Sequence, residues 1–137
     1  LSCIAPSSII LEIGVRYGTT SCFFVKSSVT KKSVISAEPD STVWGLVEVT
    51  ILRHSDCSHV NILQGAISKV SLAKIGEKQG PGFGGEFRPA SSDEVASVPA
   101  YKASNLSHVD VTIFDCECCV FGIDKHNILD ELLNAVM

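Results

Sequence analysis

The stretch Ile9-Ile10-Leu11-Glu12-Ile13-Gly14-Val15-Arg16-Tyr17-Gly18-Thr19-Thr20-Ser21 limits the folds open to this chain more than any other. It begins as an apolar run, the pattern of a strand buried on both faces of a parallel sheet. It turns on Gly14 and Gly18, then passes through hydroxyl residues into Cys22-Phe23-Phe24-Val25, a helix start. Strand, glycine turn and helix N-terminus, in that order, build the crevice of a doubly wound α/β fold. Glu38 lies twenty residues beyond Gly18 and ends the next apolar run, Val34-Ile35-Ser36-Ala37. A carboxylate there can accept both hydroxyls of a ribose, each charge-assisted bond contributing about 1.5–3 kcal/mol.

The spacing selects among nucleotides. A dinucleotide fingerprint counted from Gly14 needs glycines where this chain has Arg16 and Thr19. The long side chain of Arg16 would stand where a pyrophosphate needs bare backbone. Glu-x-Gly-x-x-x-Gly fits S-adenosylmethionine (SAM) better, since that ligand has no phosphate to cradle. Its sulfonium and ammonium give Glu12, at the strand end, an electrostatic reason to be there. The competing reading is an ordinary strand-to-helix turn with chance glycines.

With 137 residues the chain is long enough for one domain with a real core. Hydrophobic residues at 45% against charged residues at 19% indicate a globular chain rather than a disordered one. A net charge of −4, with no basic cluster larger than Lys31-Lys32, argues against a nucleic-acid surface. No apolar run is long enough to span a membrane, and no secretory leader pattern opens the sequence. The six cysteines, at 3, 22, 57, 116, 118 and 119, lack framework spacing, so reduced thiols in a cytoplasmic setting are expected. The sequence opens on Leu1 and stops at Met137 inside a helical pattern, as expected of a fragment.

Taken in order, the pattern predicts a strand over 7–13, a helix over 20–27 and a second strand over 33–37, closed by Glu38-Pro39-Asp40. Pro39 removes a donor there, and Asp40 or Ser41 can cap the next helix. That helix, about 42–54, carries Trp44, Val47 and Ile51 on one face. Trp44 suits the core better than an adenine. A third strand over 59–63 leads to Gln64-Gly65-Ala66, placed for an adenine edge. A short half-exposed strand is expected over 69–75, then a Gly- and Pro-rich loop over 76–89 and a linker-like stretch toward Asn105. The run Gly80-Pro81-Gly82-Phe83-Gly84-Gly85 is not a phosphate loop, because no Lys-Ser/Thr pair follows it. It reads as a mobile loop, with a lid over the substrate as the sharper alternative. A fourth strand over 109–114 ends in Asp115-Cys116-Glu117-Cys118-Cys119, and an amphipathic helix follows over 128–136. The alternation gives a mainly parallel sheet with helices on both faces.

Asp115 then stands in the same row as Glu12 and Glu38, with the first and fourth strands adjacent. Asp115 and Glu117 face the cationic half of a ligand or a hydroxyl awaiting deprotonation, or they serve a helix N-terminus. Cys116 and Cys119 form a C-x-x-C that is open to three readings: redox-active thiols, half of a zinc site, or packed free thiols. The four histidines sit at element ends, and none has a neighbouring carboxylate that marks it as a base.

These residues resemble the FkbM-type SAM-dependent methyltransferases. The likeness rests on Leu11-Glu12-Ile13-Gly14 through Gly18, Ala37-Glu38-Pro39, Gln64-Gly65-Ala66-Ile67 and Asp115-Cys116-Glu117, with Val98-Pro99 before the fourth strand. It covers nearly the whole chain. The resemblance implies a Rossmann-like doubly wound sheet, here truncated at its C-terminal end, in a single domain over 1–137. It implies methyl transfer from SAM, O-directed, onto a small-molecule or sugar hydroxyl. Glu12, Gly14 and Gly18 would line the methionine side, with Tyr17 and Thr19 in the same turn. Glu38 and Pro39 would hold the ribose, Gly65 and Ala66 the adenine, and Asp115 and Glu117 would face the reacting centre. Cys118 and Val120 replace the family's usual glycine and last acid, and Arg16 stands where asparagine is common. The family's last three strands are missing, so the fourth strand's open edge predicts self-association. A catalytically silent binding or interaction module with the same fold is the alternative. Neither reading involves nucleic acid, a membrane or a bound metal.

Overall fold

The computed structural model describes residues 4–5, 7–27, 33–77, 85–94, 98–106 and 108–115. The first apolar run forms β1 (Ile10–Ile13) and the second forms β2 (Val34–Glu38), both buried along their whole length. Between them runs α1 (Thr19–Ser27), and after β2 comes α2 (Trp44–Arg53), followed by a single 3-10 turn, Ser55–Cys57. β3 (Val60–Gln64) pairs with β2, and β8 (Val111–Phe114) pairs with β1. The resulting sheet has the order β3-β2-β1-β8 with every pair parallel, so the chain is α/β with a parallel central sheet. The two inner strands read as near-continuous apolar runs because both their faces are covered, whereas β3 and β8 are only partly buried. The first and fourth predicted strands are adjacent, as expected.

Strand alternation divides the core. Ile10, Val34 and Val60 pack with Cys22 and Val25 of α1 and with Cys57. Leu11, Ile13, Ile35 and Ala37 pack on the opposite face with Ile67 and Ala103. Ile51 of α2 joins the first cluster, so both described helices serve the α1 side. Among the described residues, the other face is covered by the crossover from β3 to β8. That crossover contains β4 (Ala66–Ile67), which pairs in parallel with β7 (Ala100–Tyr101), and a 3-10 turn, Ala103–Asn105. The expectation of helices on both faces turns on the helix predicted over 128–136, which lies outside the described residues.

The same crossover corrects the loop reading of 76–89. β5 (Leu72–Glu77) and β6 (Gly85–Pro89) form an antiparallel pair, with a register shift between Lys74 and Gly76. Nor is the segment after it a linker: Val98 is buried, bridges Leu72 and packs with Ala66 and Phe87. Arg88 pairs with Glu94 at 2.8 Å across the turn that follows β6.

The expectation of reduced thiols also fails for two cysteines. Cys22 and Cys57 form a disulfide, their Cα atoms 5.1 Å apart, inside the α1-side core. Both sit within apolar surroundings, which hid the pairing from a search for framework spacing. Cys116, Glu117, Cys118, Cys119, the run 80–84 and the helix expected over 128–136 lie outside the described residues.

Candidate functional site

β1 delivers the chain to Gly14, and the backbone then reverses through Gly14 (φ 92°), Arg16 (φ 51°) and Gly18 (φ 75°). Glycine adopts these left-handed conformations without penalty, while a residue with a Cβ, such as Arg16, bears roughly 1–2 kcal/mol of strain. Gly14 donates to the Ala37 carbonyl at 2.9 Å, so the turn stays on the sheet as it leaves β1. Gly18 caps the reversal beneath α2, where an added Cβ would lie 3.5 Å from Val47 and 3.7 Å from Ile51. Gly14 and Gly18 are buried; Arg16, Tyr17 and Thr19 are exposed, with the Arg16 guanidinium 5.4 Å from the Tyr17 ring centre.

Glu12 points to the α1 side of the sheet and is fully buried. Ser21, in the first turn of α1, donates its hydroxyl to Glu12 Oε2, and Ser36 Oγ lies 3.1 Å from the same oxygen. Ser36 also lies 3.0 Å from Ser21 Oγ, so its one proton has two acceptors. The remaining oxygen, Glu12 Oε1, has no hydrogen-bond partner among the described residues. Burial raises the Glu12 pKa above the usual carboxylate range; the Ser21 and Ser36 hydroxyls oppose that shift, and the charges of Asp115 and Glu38 add to it. Ser21 and Ser36 have roles the sequence reading did not give them. The available signal was Ser36, which interrupts the apolar run 34–37, and Ser21, which closes the hydroxyl run 19–21.

Glu38 closes the turn from the other side. Its Oε2 accepts the Arg16 amide at 2.8 Å and its Oε1 accepts the Asp40 amide at 2.7 Å. Trp44 Nε1 donates to the Glu38 carbonyl at 2.8 Å, which gives that half-buried indole an anchoring role at the end of β2. Burial raises the Glu38 pKa, against the opposing pull of the Asp40 and Arg16 amides. Each carboxylate oxygen has two lone-pair sites, so both retain acceptor capacity. Pro39 is half-buried between these acids.

Asp40 is buried and does not cap α2, whose N-cap is Val43 with no side-chain cap bond. Asp40 Oδ1 instead accepts the Thr42 amide at 3.0 Å and the Thr42 hydroxyl at 2.8 Å, and it pairs with Lys74 of β5 at 3.0 Å. Burial works to raise the Asp40 pKa, but the Thr42 and Lys74 contacts together hold it below the usual range. Lys74 was not singled out from sequence.

Asp115, at the end of β8, is exposed; its amide donates to the Ile13 carbonyl at 2.9 Å and its Oδ2 accepts the Thr20 hydroxyl at 3.1 Å. The structure thus gathers Glu12, Glu38 and Asp115 at the carboxyl ends of three adjacent strands around the turn 14–18. They are not equivalent: Glu12 is sealed beneath α1, Glu38 is engaged by backbone, and Asp115 is open to solvent. The proposed reacting partner of Asp115, Glu117, lies outside the described residues.

Gly65 and Ala66 are buried in the crossover. A Cβ on Gly65 would collide with the Pro99 carbonyl and lie 2.7 Å from Tyr101 Cε2, so this glycine lets β4 and β7 approach. Gln64 Nε2 donates to Glu48 of α2 at 2.7 Å. One histidine does have a carboxylate neighbour, contrary to expectation. His108 Nε2 lies 2.8 Å from Asp110 Oδ1, ahead of β8 and therefore at the opposite end of the sheet. Asp110 also accepts the Ile9 amide at 2.7 Å.

Among the described residues no group of three or more His, Cys, Asp or Glu is arranged to hold a metal ion, and no helix is long and apolar enough to cross a membrane. No protein-family model matches the chain, and no curated protein matches it.

Proposed function

We propose that this chain is a SAM-binding domain with a Rossmann-like sheet, of the kind that carries methyl transfer to the hydroxyl of a small molecule or sugar. The observation that carries this reading is the bond between the Arg16 amide and Glu38, at 2.8 Å. It brings a two-glycine turn and a ribose-type carboxylate together at the carboxyl ends of adjacent parallel strands, where open α/β sheets take their ligands. SAM, when bound, supplies an electrophilic methyl group. The chain's own part is to hold ligand and acceptor in line, which needs no covalent group from the protein.

In this reading Glu38 accepts ribose hydroxyls on its remaining lone pairs. Tyr17 and Thr19 offer the exposed side chains of the turn. Asp115 would orient the acceptor hydroxyl and accept its proton, with Glu117 as the second acid of the cluster. Glu12, being sealed, shapes the turn from beneath and does not touch the ligand. A silent binding module is favoured by the internal engagement of both Glu38 oxygens and by Cys118 and Val120 in the acidic cluster. Self-association through the outer edge of β8 belongs to the same proposal.

Location is part of the proposal too. The cytoplasmic expectation rested on reduced cysteines, and the Cys22–Cys57 bond removes that support. A buried disulfide favours folding in an oxidising compartment.

Calorimetric titration with SAM, its demethylated product and NAD tests the ligand. Binding of the first two with NAD far weaker is expected; NAD binding as tightly or more tightly overturns the reading. Glu38→Ala, checked for retained fold, is expected to weaken binding by about 2–4 kcal/mol.

A further inference from the structure

The oxidising compartment favoured by the Cys22–Cys57 bond gives a tripeptide late in the chain a chemical meaning. Asn105-Leu106-Ser107 is an Asn-x-Ser sequon, the pattern that marks an asparagine for N-linked glycosylation when x is not proline. The other asparagines, Asn61, Asn127 and Asn134, have Leu63, Leu129 and Val136 in place of the hydroxyl residue two positions on. Such a pattern is usable only on a surface turn, and Asn105 stands on one. It closes the 3-10 turn Ala103–Asn105, where its amide donates to the Lys102 carbonyl at 3.0 Å. Asn105 is exposed, and so are Lys102 and Ser104 beside it. The turn is nevertheless pinned from beneath. Ala103 is buried with Leu11 and Ile35, and the half-buried Leu106 packs against the same cluster. A bulky polar group added at Asn105 therefore meets solvent rather than packed side chains.

We propose that Asn105 is a site of N-linked glycosylation, with an oligosaccharide carried on a polyprenyl diphosphate as the donor. In the transfer Asn105 Nδ2 forms a bond to C1 of the first sugar, and the bond from C1 to the diphosphate oxygen breaks. The electron pair of that bond leaves with the polyprenyl diphosphate, and Nδ2 gives up one of its two protons. The product remains a neutral amide, so the local charge is unchanged and what is added is a large, solubilising polar group. Ser107 enters as the hydroxyl residue of the pattern, a place that threonine fills equally. Transfer at Asn105 rests on the compartment proposed above and is independent of what the crevice binds.

The test uses the whole chain, directed into the endoplasmic reticulum of cultured eukaryotic cells by a cleavable leader. Denaturing gels are read before and after treatment with a peptide-N-glycosidase. The wild type is expected to show a band heavier by one glycan that collapses to the bare mass on treatment. Asn105→Gln and Ser107→Ala are expected to lose the heavier band, and Ser107→Thr to keep it. Because the gel is denaturing, these readings stand whether or not a variant folds. Release of the glycan in heavy-oxygen water is expected to leave a labelled aspartate at position 105 in the peptide mass spectrum. A wild type that runs only at its bare mass overturns the proposal, as does a shift that survives Asn105→Gln. Protein from the natural source then separates the glycan from the compartment. A Cys22–Cys57 bond with unmodified Asn105 refutes the glycan alone. Free thiols at 22 and 57 with unmodified Asn105 refute compartment and glycan together.

Discussion

Ser36 stands opposite Glu12 in the β1–β2 register, and its hydroxyl lies 3.1 Å from the carboxylate. With Ser21 reaching the same oxygen from α1, the pair ties two strands and a helix together at one buried charge. Among the described residues, the cost of sealing a carboxylate here is met by two hydroxyls. Such a site is sensitive to proton uptake.

Glu12 should therefore imprint a pH dependence on stability. Its folded pKa is raised, so the folded chain binds that proton more tightly than the unfolded chain, whose ordinary value is 4.5. The stabilisation linked to this proton is complete below the ordinary value and is lost as pH rises through the folded one. Glu12→Gln removes that component. Urea unfolding of both proteins between about pH 4 and about pH 8 should show the difference shifting in the variant's favour as pH increases. A pH-independent difference would show that burial does not govern Glu12.

Gly65→Ala should destabilise the fold by about 1–3 kcal/mol, the usual cost of forcing backbone and packed side chains apart. The new methyl meets the Pro99 carbonyl and the Tyr101 ring, neither of which is the free end of a flexible chain. Gly45→Ala is the control, since nothing lies within 4 Å of its added Cβ. Denaturant midpoints that fall equally for the two variants would contradict the close approach of β4 and β7.

Replacing Cys22 and Cys57 together by alanine should lower stability by about 2–4 kcal/mol, mainly by freeing the unfolded chain. The bond joins residues 35 apart in sequence, so the loop it closes is long. Intact mass with and without thiol alkylation establishes the bond, and unfolding with and without reductant gives its contribution. Wild-type protein whose midpoint ignores reductant would argue against it.

Much of the frame was legible because apolar runs and glycine positions report local backbone directly. Ile10–Ile13 and Val34–Glu38 declare themselves as inner strands, and Gly14 and Gly18 mark the turn between β1 and α1. The row of Glu12, Glu38 and Asp115 followed from strand ends alone. What stayed hidden depends on partners distant in sequence. Ser36 looks incidental until register sets it against Glu12, and the packing demand for glycine at position 65 shows only once Pro99 lies against it. Cys22 and Cys57 carry no spacing signal for the same reason. The hairpin was more accessible: Leu72, Lys74, Phe87 and Arg88 on either side of a glycine-rich run fit two short strands. The strand expected over 69–75 overlaps β5, whereas the composition of the run outweighed the pattern of its second flank, β6.

The place of β1 in the sheet also sets an order of events during synthesis. One side of β1 meets β2 soon after both have left the ribosome, but the other waits for β8, with Ile9 reaching Asp110 across 101 residues. Until then one of the two inner strands of the sheet is an edge, carrying unpaired amides and carbonyls beside an apolar surface. Nascent chains stalled before β8 should on this account be the ones that need a chaperone, because parallel pairing over so long a separation is slow to complete.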